Sequence, residues 1–166
     1  MKKFLALCTA AVLCLSLLTA CGPKEPEEKQ VDLAAFAQTV QENHEFAALE
    51  KADPADQEMG AIMLENNYPG LKDMDLEQLE VYLAMISFSG GELALAQAKS
   101  PEDTAKVKEI FQNRITTKST DGPGNYPEEV EMWKKSAKVV DNGSYVMLVN
   151  HPDSEAIAGE FEALFK

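Results

Sequence analysis

Asn142-Gly143 stands between two short apolar runs, Lys138 to Asp141 and Ser144 to Asn150. A two-residue hairpin loop of type I′ needs φ > 0 at both central positions, and Asn-Gly meets that need best. The two runs are therefore predicted to pair as antiparallel strands. Along the second, Tyr145, Met147 and Val149 face one way and Val146 and Leu148 the other, because side chains alternate along a strand.

A second hairpin is read around Ser89-Gly90-Gly91, with strands over 79–88 and 92–98. Asp75 and Gln78 have the spacing of a capping box, which predicts a helical turn just before it. Leu76, Leu79, Leu83 and Ile86 also fit one helix face, so strand and helix both stay open over 79–88. Helical spacing of apolar residues spans Val31 to Leu49. Asp53 and Pro54 are read as N-cap and first residue of a second helix, ending near Asn66-Asn67 before the Tyr68-Pro69-Gly70 turn. Ser100-Pro101-Glu102-Asp103 opens another, with Val107, Ile110, Phe111 and Ile115 as its buried stripe. Residues 119–125 read as a loop. Pro127 to Trp133 forms a short helix, and Asp153 caps a last one carrying Ile157, Phe161 and Leu164. The expected fold is α+β: a small antiparallel sheet of two hairpins, about four strands, packed by helices, two of them N-terminal.

The fold begins after an N-terminal address. Lys2 and Lys3 precede 15 residues, Phe4 to Leu18, that are almost all apolar. That is the layout of a secretory signal, and it is short for a membrane span. Leu18-Thr19-Ala20-Cys21 then resembles the bacterial lipobox. The resemblance implies cleavage before Cys21, fatty-acyl (palmitate) chains on its thiol, and an extracytoplasmic protein held at the cell membrane by lipid. Residues 1–20 are the signal peptide, 21–30 the lipidated cysteine and a charged tether, and 31–166 one domain. In extended geometry the tether spans roughly 25–30 Å.

Cys8 and Cys14 leave with the signal and Cys21 is modified, so no thiol remains to form a disulfide and the core must supply stability. Loss of Lys2 and Lys3 takes the formal charge from −13 to −15. Such acidity gives no electrostatic reason to bind nucleic acid or anionic headgroups.

From residue 31 onward, several segments in order resemble one family. Glu92-Leu93-Ala94-Leu95 is similar to its acid-led strand, and Lys106-Val107-Lys108 through Arg114 to the helix that follows. Tyr126-Pro127-Glu128 is similar to its tyrosine-led short helix. Gly143-Ser144-Tyr145-Val146 resembles a Gly-Asn-Tyr-Val strand start, from which Ser144 departs, and Asp153 to Phe165 resembles its closing helix. On these segments the chain is identified as similar to the bacterial lipoproteins of domain of unknown function 4358. The resemblance implies a small lipid-anchored domain of Gram-positive bacteria and no known reaction.

Chemistry-bearing motifs are few. There is no Gly-x-Ser-x-Gly elbow and no zinc spacing. His44 and His151 stand apart in sequence; the first reads as surface, the second as a turn residue. Asp73, Asp75 and Glu77 alternate as in calcium loops but lack the later glycine and glutamate, and capping by Asp75 explains them better. No metal or cofactor is expected. Glu92, starting a strand, and Arg114, near the end of the returning helix, are expected to face each other. They form either a charged pocket floor, with Tyr126 or Tyr145 on its rim, or a salt bridge clamping helix to sheet. The loop 119–126 is read either as a cover for a ligand or as plain surface. The leading expectation is a non-enzymatic envelope binding or accessory lipoprotein with a protein, peptide or small-molecule partner. The alternatives are a hydrolase using carboxylate acid–base chemistry, Glu92 among them, and a structural spacer.

Overall fold

The computed structural model describes residues 29–85, 91–120, 122 and 126–166. The signal, Cys21 and most of the tether lie outside these residues, as do the Ser89-Gly90 turn and much of the 119–126 loop. The described residues are α+β, with five α-helices and a five-stranded antiparallel sheet. The order is α1 (Leu33–Asn43), β1 (Leu49–Lys51), α2 (Gly60–Asn67), β2 (Leu76–Ala84), β3 (Glu92–Ala98), α3 (Pro101–Lys118), α4 (Pro127–Ser136), β4 (Ala137–Asn142), β5 (Tyr145–Asn150) and α5 (Ser154–Ala163). The strands lie in the order β1-β2-β3-β5-β4.

Helices cover both faces. Ala94, Ala96, Val146 and Leu148 pack with Leu64, Val107, Phe111 and Trp133 under α2, α3 and α4. Leu93, Leu95, Tyr145, Met147 and Val149 pack with Phe36, Val40, Ile157 and Phe161 under α1 and α5. The alternation expected along β5 is the one observed. Both central strands are buried along their whole length, which is why β3 and β5 have small or apolar residues on both sides.

Several expectations are corrected. The sheet has five strands, not about four, because β1 pairs with the end of β2, Leu49 opposite Ala84. A three-residue edge strand is too short to show alternation, and the helix expected to reach Leu49 stops at Asn43. So the two N-terminal helices are separated by a strand. Asp75–Gln78 is not a helical turn: β2 already begins at Leu76, opposite Ala98. Ladder pairing overrides the local capping signal. Asp75 instead binds Lys99 at 2.5 Å. Gln78 reaches across to α1, accepting from Leu33 N at 2.9 Å and donating to Val31 O at 2.8 Å.

Asp53 and Pro54 do not open α2, which starts at Gly60. Asp53 Oδ1 accepts from Ala55 N at 2.8 Å, and Asp56 Oδ1 from Glu58 N at 3.0 Å. Both aspartates stabilise turns instead of a helix end. At the hairpin joining β4 and β5 only Gly143 has positive φ, +58°. Asn142 stays in β4 opposite Tyr145, so Gly143-Ser144 forms the loop, in the type II′ pattern. One positive φ on glycine costs less than two, one of them on asparagine. Ser100 caps α3 as expected, accepting from Asp103 N. Asp153 occupies the cap position of α5, but its carboxylate faces His44.

Candidate functional site

A cleft of about 430 Å³ opens where β3 begins, on the face covered by α2, α3 and α4. Its depth comes from charged residues on elements that otherwise bury apolar ones. On α3 the stripe Val107, Phe111 continues as Arg114 and then Lys118, one helical turn apart. On α4, Glu129 and Trp133 have the same spacing. Glu92 is the first residue of β3. Met59, Met63, Leu83 and Met85 supply its apolar wall, and Asn67 on α2 a polar group.

Arg114 grips Glu92 with both arms. Nε donates to Oε1 at 2.9 Å and Nη2 to Oε2 at 2.7 Å. The side chains are 11% and 5% exposed. The Tyr68 hydroxyl also donates to Glu92 Oε1. Tyr68 is placed there by its own turn: Leu71 N donates to Tyr68 O at 3.0 Å, with Pro69 and Gly70 at the two central positions and Gly70 at φ +86°. The guanidinium lies 5.7 Å from the Tyr68 ring centre and 5.4 Å from that of Trp133, within cation–π range. Burial, then the Glu92 charge, pushes the Tyr68 hydroxyl well above the usual tyrosine range, so it remains a donor. Burial acts to lower the Arg114 pKa, but Glu92 more than offsets it and the net shift is upward.

Beside this pair sits a second one, Lys118 Nζ to Glu129 Oε1 at 2.6 Å, with side chains 13% and 3% exposed. The four charged residues lining the cleft are thus two of each sign. Two buried atoms here have no hydrogen-bond partner among the described residues: Glu129 Oε2 and Trp133 Nε1. Buried polar atoms are otherwise satisfied in native proteins, at a cost of about 1–3 kcal/mol when they are not. Both belong to residues that line the cleft.

The structure brings Glu92 and Arg114 together but neither tyrosine expected at the rim. Tyr145 is on the opposite face of the sheet, its ring 5.1 Å from that of Phe165 and its hydroxyl accepting from Val31 N at 3.1 Å. Tyr145 pairs with Gln97 on the neighbouring strand, at the far end of β3 from Glu92, and its side chain points to the other face. Tyr126 stands at the N-cap of α4, 53% exposed and outside the cleft lining. Sequence reasoning missed Tyr68, Lys118, Glu129 and Trp133. The available signal was the i, i+4 spacing of Arg114–Lys118 and Glu129–Trp133, which places polar groups on buried stripes.

The reading of His44 is also corrected. His44 is not a surface residue of a helix: it follows α1, is 10% exposed, and lies between two acids. Nδ1 is 3.3 Å from Asp153 and Nε2 3.1 Å from Glu160. His151 is satisfied locally, accepting from Asp153 N through Nδ1 at 3.0 Å, which leaves Nε2 as donor to Glu45 O at 3.2 Å. Ligand atoms of His44, His151 and Asp153 come within 4.8 Å of one another. Both His151 nitrogens already have partners, so this cluster reads as a pin joining the end of α1 to the start of α5.

Neither the curated proteins nor the solved structures contain a match to this chain. A family model described as a domain of unknown function (DUF4358) matches residues 50–151. That span, more than half of the chain, runs from β1 to the end of β5 and includes every residue lining the cleft, while α1 and α5 lie outside it. The chain belongs to the DUF4358 family.

Proposed function

We propose that this protein is a lipid-anchored, non-enzymatic binding lipoprotein on the outer face of the cell membrane, and that the cleft between α2, α3 and α4 holds a small molecule or a segment of an envelope partner. The lipobox ending in Cys21 supports the anchor. Among the described residues no helix is long and apolar enough to cross a membrane. The observation that carries the binding reading is a cleft of ligand-sized volume with apolar walls and four largely buried charged side chains at its lining.

The hydrolase reading has less support. A general acid–base must exchange a proton with substrate. Both oxygens of Glu92 are engaged by Arg114, and one also by Tyr68. Glu129 is tied to Lys118.

Two measurements test the proposal. Cys21→Ser is expected to move the protein from the membrane to the soluble fraction. Peptide and small-molecule fractions of the envelope are then screened for those that raise the melting temperature. At least one is expected to do so, and Met63→Phe, which narrows the cleft, should abolish the effect. No stabilising fraction would remove the binding reading, and consumption of the bound compound would replace it with an enzymatic one.

A further inference from the structure

We infer that the pin between α1 and α5 binds a divalent transition-metal ion of the zinc type, through His44 Nδ1, His151 Nδ1 and Asp153 Oδ2. Each histidine has its other nitrogen fixed by a group that only accepts. His44 Nε2 lies 3.1 Å from the Glu160 carboxylate, and His151 Nε2 lies 3.2 Å from Glu45 O. Both Nε2 atoms are therefore donors, and in a neutral ring the free lone pair is on Nδ1. Asp153 Oδ2 is 3.3 Å from His44 Nδ1 and 3.9 Å from His151 Nδ1. Ligand atoms of the three residues all lie within 4.8 Å of one another. Acceptors brought this close repel one another unless a cation sits between them. Ligands of a tetrahedral zinc ion stand roughly 3.3 Å apart. The first separation already fits that spacing, and the second has to close slightly.

A carboxylate or backbone carbonyl on the far nitrogen of a histidine is the arrangement that orients metal-binding imidazoles. Two imidazoles with one carboxylate suit zinc and its neighbours, whereas calcium and magnesium take oxygen donors. The fold assembles the three ligands: His44 ends α1, His151 follows β5 and Asp153 precedes α5. The histidine side chains are 10% and 7% exposed, and the Phe46 ring lies 4.4 Å from that of His151. Asp153, 59% exposed, opens the path from solvent. Without a metal, His151 Nδ1 accepts from Asp153 N. The ion takes that lone pair, and the released N–H belongs to an exposed residue where water replaces the bond. A proton on His44 Nδ1 is the competing occupant. His44 and Asp153 lie outside the span that the family model matches, and α1 and α5 cover the face of the sheet opposite the cleft. The metal site is thus independent of binding in the cleft.

The chain has two histidines, so imidazole resonances report these rings alone. The experiment uses the untagged full chain in mild detergent, labelled with ¹⁵N and with its three cysteines alkylated. Zinc chloride is titrated, with calcium chloride as control. One equivalent of zinc is expected to move the Nδ1 resonances of both rings and to leave both Nε2 atoms protonated, while calcium moves neither ring. Asp153→Asn and His44→Gln, their folds checked by amide spectra, should each weaken zinc binding at least tenfold, since losing even a supporting partner of a metal ligand costs about that much. Zinc that leaves the rings unmoved, or that binds both variants as tightly as the native chain, overturns the inference by placing the ion on the acidic surface. A His44 ring that keeps hydrogen on both nitrogens at saturating zinc overturns it too, because a proton then holds the position. Coordination through either Nε2 has the same meaning.

Discussion

Arg114→Met is the most informative single change. It removes the charge but keeps an unbranched side chain of similar reach against Tyr68 and Trp133. Glu92, 5% exposed, is left with only the Tyr68 hydroxyl. Removing one partner of a buried ion pair costs about 3–5 kcal/mol, because the survivor is a desolvated and uncompensated charge. For a domain of this size that is roughly 10–20 °C in melting temperature. The same reasoning makes a sharper prediction for the double variant. Glu92→Met with Arg114→Met removes both charges together, and paired apolar replacements of buried ions are often neutral or stabilising. Its cost should therefore be smaller than that of either single change, and Tyr68→Phe added to it should recover a further part by removing the stranded hydroxyl. The assay is urea unfolding of the native chain, the two single variants and the double variant, analysed as a double-mutant cycle. Single variants that each lose less than about 1 kcal/mol, as exposed pairs do, would refute the argument, and so would losses that simply add.

Gly60→Ala should be destabilising by about 2 kcal/mol or more in chemical denaturation, although alanine ordinarily favours a helix by about 1 kcal/mol. An added Cβ would lie 2.7 Å from Asp53 N, 2.8 Å from Asp53 C and closer still to its carbonyl oxygen, and backbone cannot yield as a side chain can. Gly143→Ala should cost about 1–2 kcal/mol at its φ of +58°, and Gly143→Asn less, measured the same way. Ser100→Ala should cost about 1 kcal/mol through loss of the α3 cap, read as earlier amide exchange in the first turn of α3. Alkaline stability depends on Tyr68. Its folded pKa is raised, so its contribution is complete below the unfolded value of about 10 and is lost as pH rises above it. Tyr68→Phe should flatten the fall in stability above pH ~10 by about 1.4 kcal/mol per pH unit. An unchanged slope would show that Tyr68 ionises as readily in the folded chain as in the unfolded one.

Much of this protein is legible in the order of its residues. The hairpin position, the Ser100 cap, the facing pattern of β5 and the α+β class all follow from local chemistry: turn residues, capping side chains and side-chain period. The Glu92–Arg114 approach is also readable, because a strand followed by one returning helix brings its two ends together. What local chemistry does not decide is everything set by distant partners. Asp75 and Gln78 spell a capping box, yet pairing with β3 makes Gln78 part of a strand and leaves Asp75 at its edge. Leu49 ends a helical pattern, yet the edge of β2 takes it as β1. Tyr145 is expected at the pocket and lies on the other face, whereas Tyr68 reaches Glu92 across 24 residues of sequence. His44 and His151 look isolated and meet through groups more than a hundred residues away. The sequence by itself determined the address motif, the family resemblance and the faces of most elements, since these depend on near neighbours. Only the tertiary structure decided which charges are buried together and which residues line the cleft, since burial and pairing are properties of the assembled layers.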